Sequence, residues 1–478
     1  MIVLPSIRFN GIKKKWFVTK RGRTKSLFAP IERKILEVPG MDGAHLLSSK
    51  TGVLKISQPF GISLDHEEYY LRIKDELVDW LVTEEPVSLE FDDEPGRTYY
   101  ALIQNEISDF EKFFTLGQGT LEFVCLDSFS YGPEKTPMFP SDAVTITNAG
   151  TAEADPIFTM QVKEPTTFAM VSNGEEYMMV GKPYDVTNQK PFKKYERIFY
   201  SDASSLVGWT AAEHVDGGSV SGTMETNGTR FQAANYGTGT SWHGPAIKTS
   251  LPEVLTDFRL EGFVSFFNKN IAAYVGRIEI YLLDVLGNTV GKIAIKDTQS
   301  GQALTIGEVR AGDTDNNHFL INEYGDRPGN WNNFNGHLRI EREGNRWYAY
   351  IAMVDTATGQ HYTRRSVIWT DTANRYTRTV AQVAVHIGQF GNHRTPAGGV
   401  YSIQVHKINQ EPDGIPYIAL EGDEIEFDHV TGDCYINGEP VPFDFGGEFF
   451  RLNKGANSLT VLPENTFDTS IKYREKYR

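Results

Sequence analysis

A period-two pattern that stops, and resumes only on the far side of a second self-sufficient pattern, is the feature that most constrains this chain. After the turn-rich stretch from Asn148 to Pro156, Ile157-Phe158-Thr159-Met160-Gln161-Val162 alternates as a half-buried strand does. The matching hairpin comes at Glu424-Ile425-Glu426-Phe427-Asp428, where Thr431-Gly432-Asp433 turns the chain and Cys434-Tyr435-Ile436 leads into Asn437-Gly438, the dipeptide type I′ hairpins prefer. Read as halves of one β-sandwich, residues 138–194 and 410–478 form a single unit with 195–409 spliced into it. Such a splice is tolerated when the insert folds on its own and its two ends lie close together.

The 478 residues suit about three domains, because single cores stop growing near roughly 250–300 residues. Residues 1–137 read as an α+β sandwich with one covering helix. A capping box at Asp65 and Glu68 opens that helix, and Tyr70, Ile73, Leu77, Trp80 and Leu81 supply its apolar stripe before Pro86. Strands are expected at 87–91, 99–103 and 119–125. The inserted stretch 195–409 holds Trp209, Trp242, Trp331, Trp347 and Trp369, five of the seven tryptophans, with regular strand signals and no helical stripe. That pattern indicates a jelly-roll or concanavalin-like sandwich. Pairing of its first strand, near 197–200, with its last, near 400–405, would bring the ends together. The chain is thus expected to be mainly β.

A formal charge of −15 argues against general nucleic-acid binding, which needs a basic face. The run Lys13, Lys14, Lys15, Lys20, Arg21, Arg23 and Lys25 is broken by Trp16-Phe17-Val18 and reads as a solvated or interface-facing hairpin. Two distant cysteines, Cys125 and Cys434, support neither a disulfide framework nor a thiolate zinc site. No apolar run suits a signal peptide or a membrane span, so the protein is expected to be made in the cytoplasm.

The chemistry expected is recognition rather than catalysis. Glu424, Glu426 and Asp428 share one strand face, as glycosidase carboxylates do, yet the short hairpin that carries them favours an exposed polar face. Asp313-Thr314-Asp315-Asn316-Asn317 opens like a calcium loop but has His318 and Tyr324 where the turn glycine and closing carboxylate belong, so no metal is assigned. No hydrolase elbow, phosphate loop or nucleophilic Cys/His pair is present, and no cofactor is expected. Saccharide sites combine an aromatic plate with amides, carboxylates and guanidinium groups. Tyr324, Asp326, Arg327, Trp331, Asn332 and Asn333, with Asn322, fall in one Gly/Pro-punctuated loop and form the leading candidate. Trp242 with His243, near Tyr236, forms a second, whereas Trp347 alternates with Ala349 and Ile351 and reads as core.

Phe9-Asn10-Gly11, Ile31-Glu32-Arg33 and the run from Val38 to Gly43, followed by the helix, resemble the distal tail proteins of long-tailed bacteriophages. The hairpin from Gly422 to Glu439 and the segment Phe449-Phe450-Arg451-Leu452 through Val461 look like the second half of that family's galectin-like domain. The resemblance implies a baseplate hub at the virion tail tip, commonly a homohexameric ring. It would join the tail tube, built of major tail protein, to the tail-associated adhesion or lysis protein, and in the widest reading to receptor-binding proteins. The insert resembles the carbohydrate-binding modules of enlarged members, which implies host cell-wall polysaccharide as a ligand, and Phe199-Tyr200-Ser201-Asp202 with Trp209 is similar to the first strand of laminin-G-like lectin sandwiches. Two alternatives stay open: a glycoside hydrolase with accessory β domains, and a structural hub whose insert contacts tail fibres.

Overall fold

A computed structural model describes residues 5–37, 39–40, 42–63, 70–104, 116–185 and 187–478. The expected cap residues Asp65 and Glu68, the landmarks Val38 and Met41, and the first four residues lie outside that set. The helix Tyr70–Leu81 turns Ile73, Leu77, Trp80 and Leu81 inward, each at most 5% exposed. Burying each is worth about 1.5–3 kcal/mol, and Trp80 also donates its indole N–H to the Phe9 carbonyl at 3.0 Å. The strands Val87–Phe91, Thr98–Ile103 and Gln118–Cys125 fall where alternation put them. Four residues of the basic run pair locally: Lys13 with Asp92, Lys14 with Glu76, and Arg23 and Lys25 with Glu94.

The strand Ile157–Val162 lies between Glu424–Asp428 on one side and Phe467–Tyr477 on the other, both antiparallel. A second sheet, ordered Ala143–Asn148, Gly455–Leu462, Phe168–Ser172 and Tyr177–Gly181, closes over it. Phe158, Met160, Val171, Phe427, Leu459 and Ile471 fill the space between the two layers. Asn437 and Gly438 both adopt positive φ, 50° and 77°, as a type I′ turn demands. The long strand Phe467–Tyr477 also pairs with Ser130–Lys135, so hydrogen bonding continues without a break into the N-terminal sheet.

Between these halves stand two large, mainly antiparallel sheets of eight and nine strands around one core. The first strand, Tyr195–Ser201, pairs antiparallel with the last, Ala397–Ile408, from Tyr195↔Ile408 to Ser201↔Ile403. Just outside them Lys190–Phe192 and Gly414–Pro416 pair in parallel, so the chain enters and leaves at the same place. The insert also rests on the Asn437–Gly438 hairpin. Arg339 grips Glu439 with bonds of 2.5 and 2.9 Å, His361 donates its amide to the Gly438 carbonyl, and a Cβ on Gly438 would come within 2.1 Å of the Gly359 carbonyl oxygen. This changes the reading of the carboxylate row. Glu426 accepts from Gln360 of the insert, and Asp428, 6% exposed, caps the amides of Val430 and Thr431. The row is a joint and a turn cap, because the insert covers the face that the hairpin alone would leave bare.

Candidate functional site

The leading candidate loop divides in two. Trp331 is 0% exposed, packs edge-on to Phe334 and donates its indole N–H to the Thr363 carbonyl at 2.9 Å. Gly307 passes so close beneath it that a Cβ there would sit 2.7 Å from the ring. Asn332 uses its whole amide inside the protein: its oxygen accepts from Thr305 N and Asn268, and its nitrogen donates to Asn270 and the Ala303 carbonyl. Asn333, at φ 57°, accepts the Lys269 amide. These three side chains therefore bind the loop to the end of the sandwich and are not an open plate for a ligand. Turn-rich sequence places a loop at the surface but does not decide which way its largest side chain points. Tyr324, Asp326 and Arg327 do remain exposed, and Asp326 lies 3.8 Å from Arg365.

The second candidate also separates. Trp242 is half-buried beneath the Arg277 guanidinium, 4.7 Å from its ring centroid, and meets Phe390 edge-on. His243 is 2% exposed, and Tyr236 packs against the insert core with its hydroxyl pushed up by burial. Trp347 lies in the core, as its alternation with Ala349 and Ile351 indicates.

An open cavity of about 450 Å³ lies instead where Tyr195–Ser201 meets the following turn, lined by Tyr200, Asp202, Val207, Trp209 and Thr249 among others. A β-bulge between Arg197 and Phe199 shifts the register of the strand. Tyr200 is 54% exposed with Arg197 4.9 Å above its ring. Trp209 is held from behind by edge-on contacts with Phe199 and Phe231, so its position is fixed while part of the indole faces out. One oxygen of Asp202 takes both the amide and the hydroxyl of Ser204, and these bonds hold its carboxyl below the usual range. A fixed aromatic wall, a second exposed ring and an ionised carboxylate can stack on the apolar face of a pyranose and accept from its hydroxyls. The sequence signal was two adjacent aromatics leading straight into Ser201-Asp202-Ala203-Ser204-Ser205, a strand running into a polar turn.

Comparison with known proteins supplies the context. Residues 12–125 match the family described as phage tail protein RIFT-related domain, and residues 402–477 match the siphovirus-type tail component, C-terminal domain. Both ends of this chain therefore match phage tail-protein domains. The distal tail protein of Bacillus phage SPP1 is 28% identical over 142 residues, which span 30% of this chain and 55% of that protein. The crystal structure of SPP1 Dit superposes with a TM-score of 0.33 at 21% identity, covering 38% of this chain and 76% of that one. The CBM2 module of the evolved Dit of Lactobacillus casei BL23 phage J-1 covers 46% of this chain and 98% of its own, with a TM-score of 0.40 at 18% identity. Both matched families are described as components of phage tails. Among the described residues no helix is long and apolar enough to cross a membrane.

Proposed function

We propose that this chain is a ring-forming hub at the siphophage tail tip and that its inserted sandwich binds host cell-surface saccharide through the Tyr200–Trp209 cavity. The observation that carries the hub is a free-standing ribbon. Among the described residues Ile31–Leu36 and His45–Thr51 pair only with each other, and every residue of both strands is exposed, Ile31, Ile35, Leu36, Leu46 and Leu47 included. Leu27 and Phe28 beside them are 91% and 62% exposed. An isolated two-stranded ribbon is marginal in water, and a contiguous apolar surface of this kind marks a protein interface. Its occupant in this reading is a second copy of the chain, repeated around a closed ring, probed as a hexamer. The tail tube, the tail-associated adhesion or lysis protein and receptor-binding proteins would meet the finished ring. In the same reading 138–194 with 410–478 forms one folding unit and 195–409 another.

Mass measurement of the full chain tests the hub. The wild type is expected to give a closed oligomer, and Leu46→Lys with Leu47→Lys a monomer of unchanged thermal stability; a monomer from the wild type at high concentration and with tail partners present overturns it. For the cavity, Tyr200→Ala should lower retention on host cell walls at least tenfold, a loss of about 1.4 kcal/mol per site that the ring multiplies. Retention that persists in Tyr200→Ala and in Trp209→Ala moves recognition elsewhere. A folded wild type that ignores cell walls but binds tail fibres replaces the saccharide reading.

A further inference from the structure

On the nine-stranded sheet of the insert, Ile278, Ile280, Ile293, Ile295 and Val309 face the core. The residues between them point to the outer face, where solvent would be expected, yet they are both charged and buried. Arg277, Glu279, Lys292, Glu308 and Arg310 are each no more than 7% exposed, and His386 is 0% exposed. Cross-strand register brings them together: Glu279 lies opposite His386, and Lys292 opposite Arg310. Lys292 Nζ sits 3.0 Å from Glu279 and 2.7 Å from Glu308, while Glu279 also meets Arg277 at 3.2 Å and accepts from the Tyr281 hydroxyl. Burial alone would raise the Glu279 carboxyl, but Lys292 and Arg277 outweigh it and hold the group well below the usual range. Burial keeps His386 neutral by pushing its ring below the ordinary histidine value.

The lid over this face is a strap around Asp216. Its carbonyl accepts from Arg277 at 2.8 Å, its carboxylate pairs with Arg310, and Lys292 Nζ stands 3.6 Å away. Asp216 is the most solvent-accessible carboxylate of the array, with 13% of its side chain exposed against 1% and 2% for Glu279 and Glu308. It is followed by Gly217, at φ 57° with open space around it, and Gly218, packed so tightly on Trp242 and Arg277 that a Cβ would clash. With the strap down, four cations (Arg277, Lys292, Lys296, Arg310) face three carboxylates; with Asp216 lifted, they face two. Closure is also incomplete, for Arg310 Nε and His386 Nε2 are buried without a hydrogen-bond partner. Buried charge arrays are costly, and apolar side chains would hold this sheet at least as well.

We propose that this face is a binding site for an anionic group of a surface glycan, a phosphate or a uronate carboxylate, and that the Asp216 carboxylate is an internal stand-in occupying that group's place on Arg310 and Lys292. The ligand displaces the strap, and its anion takes the bonds that Asp216 gives up. The site lies apart from the Tyr200–Trp209 cavity and does not depend on that cavity binding sugar.

The full-length protein titrated with glycerol phosphate, and separately with galacturonate, tests this through fluorescence of Trp242 beneath Arg277 and through calorimetry. Asp216→Asn removes the competitor and should tighten binding of the preferred anion about tenfold, and Arg310→Gln should abolish it. The arm that tightens identifies the source as phosphate or carboxylate. In the wild type, saturating anion should speed hydrogen exchange at the strap amides 213–217, a readout that stands even if Asp216→Asn fails to fold. No binding of either anion, binding weakened or unmoved by Asp216→Asn, or a strap that is slowed or unaffected overturns the proposal. Neutral maltose titrated in parallel reports on the cavity alone, so failure of one reading is distinguishable from failure of the other.

Discussion

Two aromatic residues of the inserted sandwich, Trp331 and Trp209, sit in similar sequence surroundings and have opposite fates. Both lie in turns rich in glycine and small polar residues. Trp331 closes one end of the sandwich, buried against Phe334 with its N–H given to Thr363. Trp209 is braced by Phe199 and Phe231 and lines an open cavity. The neighbours explain the difference. Asn332 and Asn333 spend their amides inward, on 268–270 and 303–305, and so pull the Trp331 loop onto the sandwich. Asp202 and Ser204 bond to each other in the turn before Trp209 and leave the cavity open.

The sharpest way to break this contrast is Trp331→Ala, which should cost about 3–5 kcal/mol in urea unfolding of the insert, against about 1–2 kcal/mol for Trp209→Ala. Equal costs would show that the two positions are equally structural. A pH series extends the contrast between buried and open sites to the outer sandwich. His429, 7% exposed and accepting the Phe450 amide at 3.0 Å, is pushed by burial to about 4 from an ordinary 6.5. Its neutral form therefore contributes fully above about pH 6.5, and the contribution is lost as pH falls toward 4, on the order of 3 kcal/mol in all. His429→Gln should flatten that part of the stability profile; an unchanged slope removes the residue from the account.

Asn332→Ala should cost about 2 kcal/mol, since it strips partners from the buried Asn268 and from the Thr305 amide. A neutral result would mean that Trp331 alone anchors the loop. Asp326→Asn, at a largely exposed side chain 3.8 Å from Arg365, should change stability by no more than about 0.5 kcal/mol. Any larger loss would place the exposed tip of that loop in the same cooperative unit as Trp331.

The interrupted sandwich was legible because period-two alternation and Asn437-Gly438 are local signals, and the tertiary structure respects both. The pairing of the insert's first and last strands was legible for the same reason. Where one surface covers another, local patterning fell silent. Glu424, Glu426 and Asp428 read as a solvated face because nothing near them in sequence announces that Gln360 arrives from the insert to bond Glu426. Arg277, Glu279 and Tyr281 alternate with isoleucines just as an exposed sheet face would, and their lid comes from Asp216, sixty-one residues before Arg277. The Trp331 loop failed because glycine and proline fix where a backbone turns and leave open which side chain it folds over.

The paired linkers have a mechanical consequence. Because Lys190–Phe192 leads into the insert and Gly414–Pro416 leads out of it, yet the two pair in parallel, their insert-side ends lie at opposite ends of the ladder, and a pull between the insert and the rest of the chain loads that ladder from both ends. Each bears part of the tension, because both join the insert to the rest of the chain. A module fastened to a cell at one end and to a particle at the other would hang from a double tether, and the fold already supplies one.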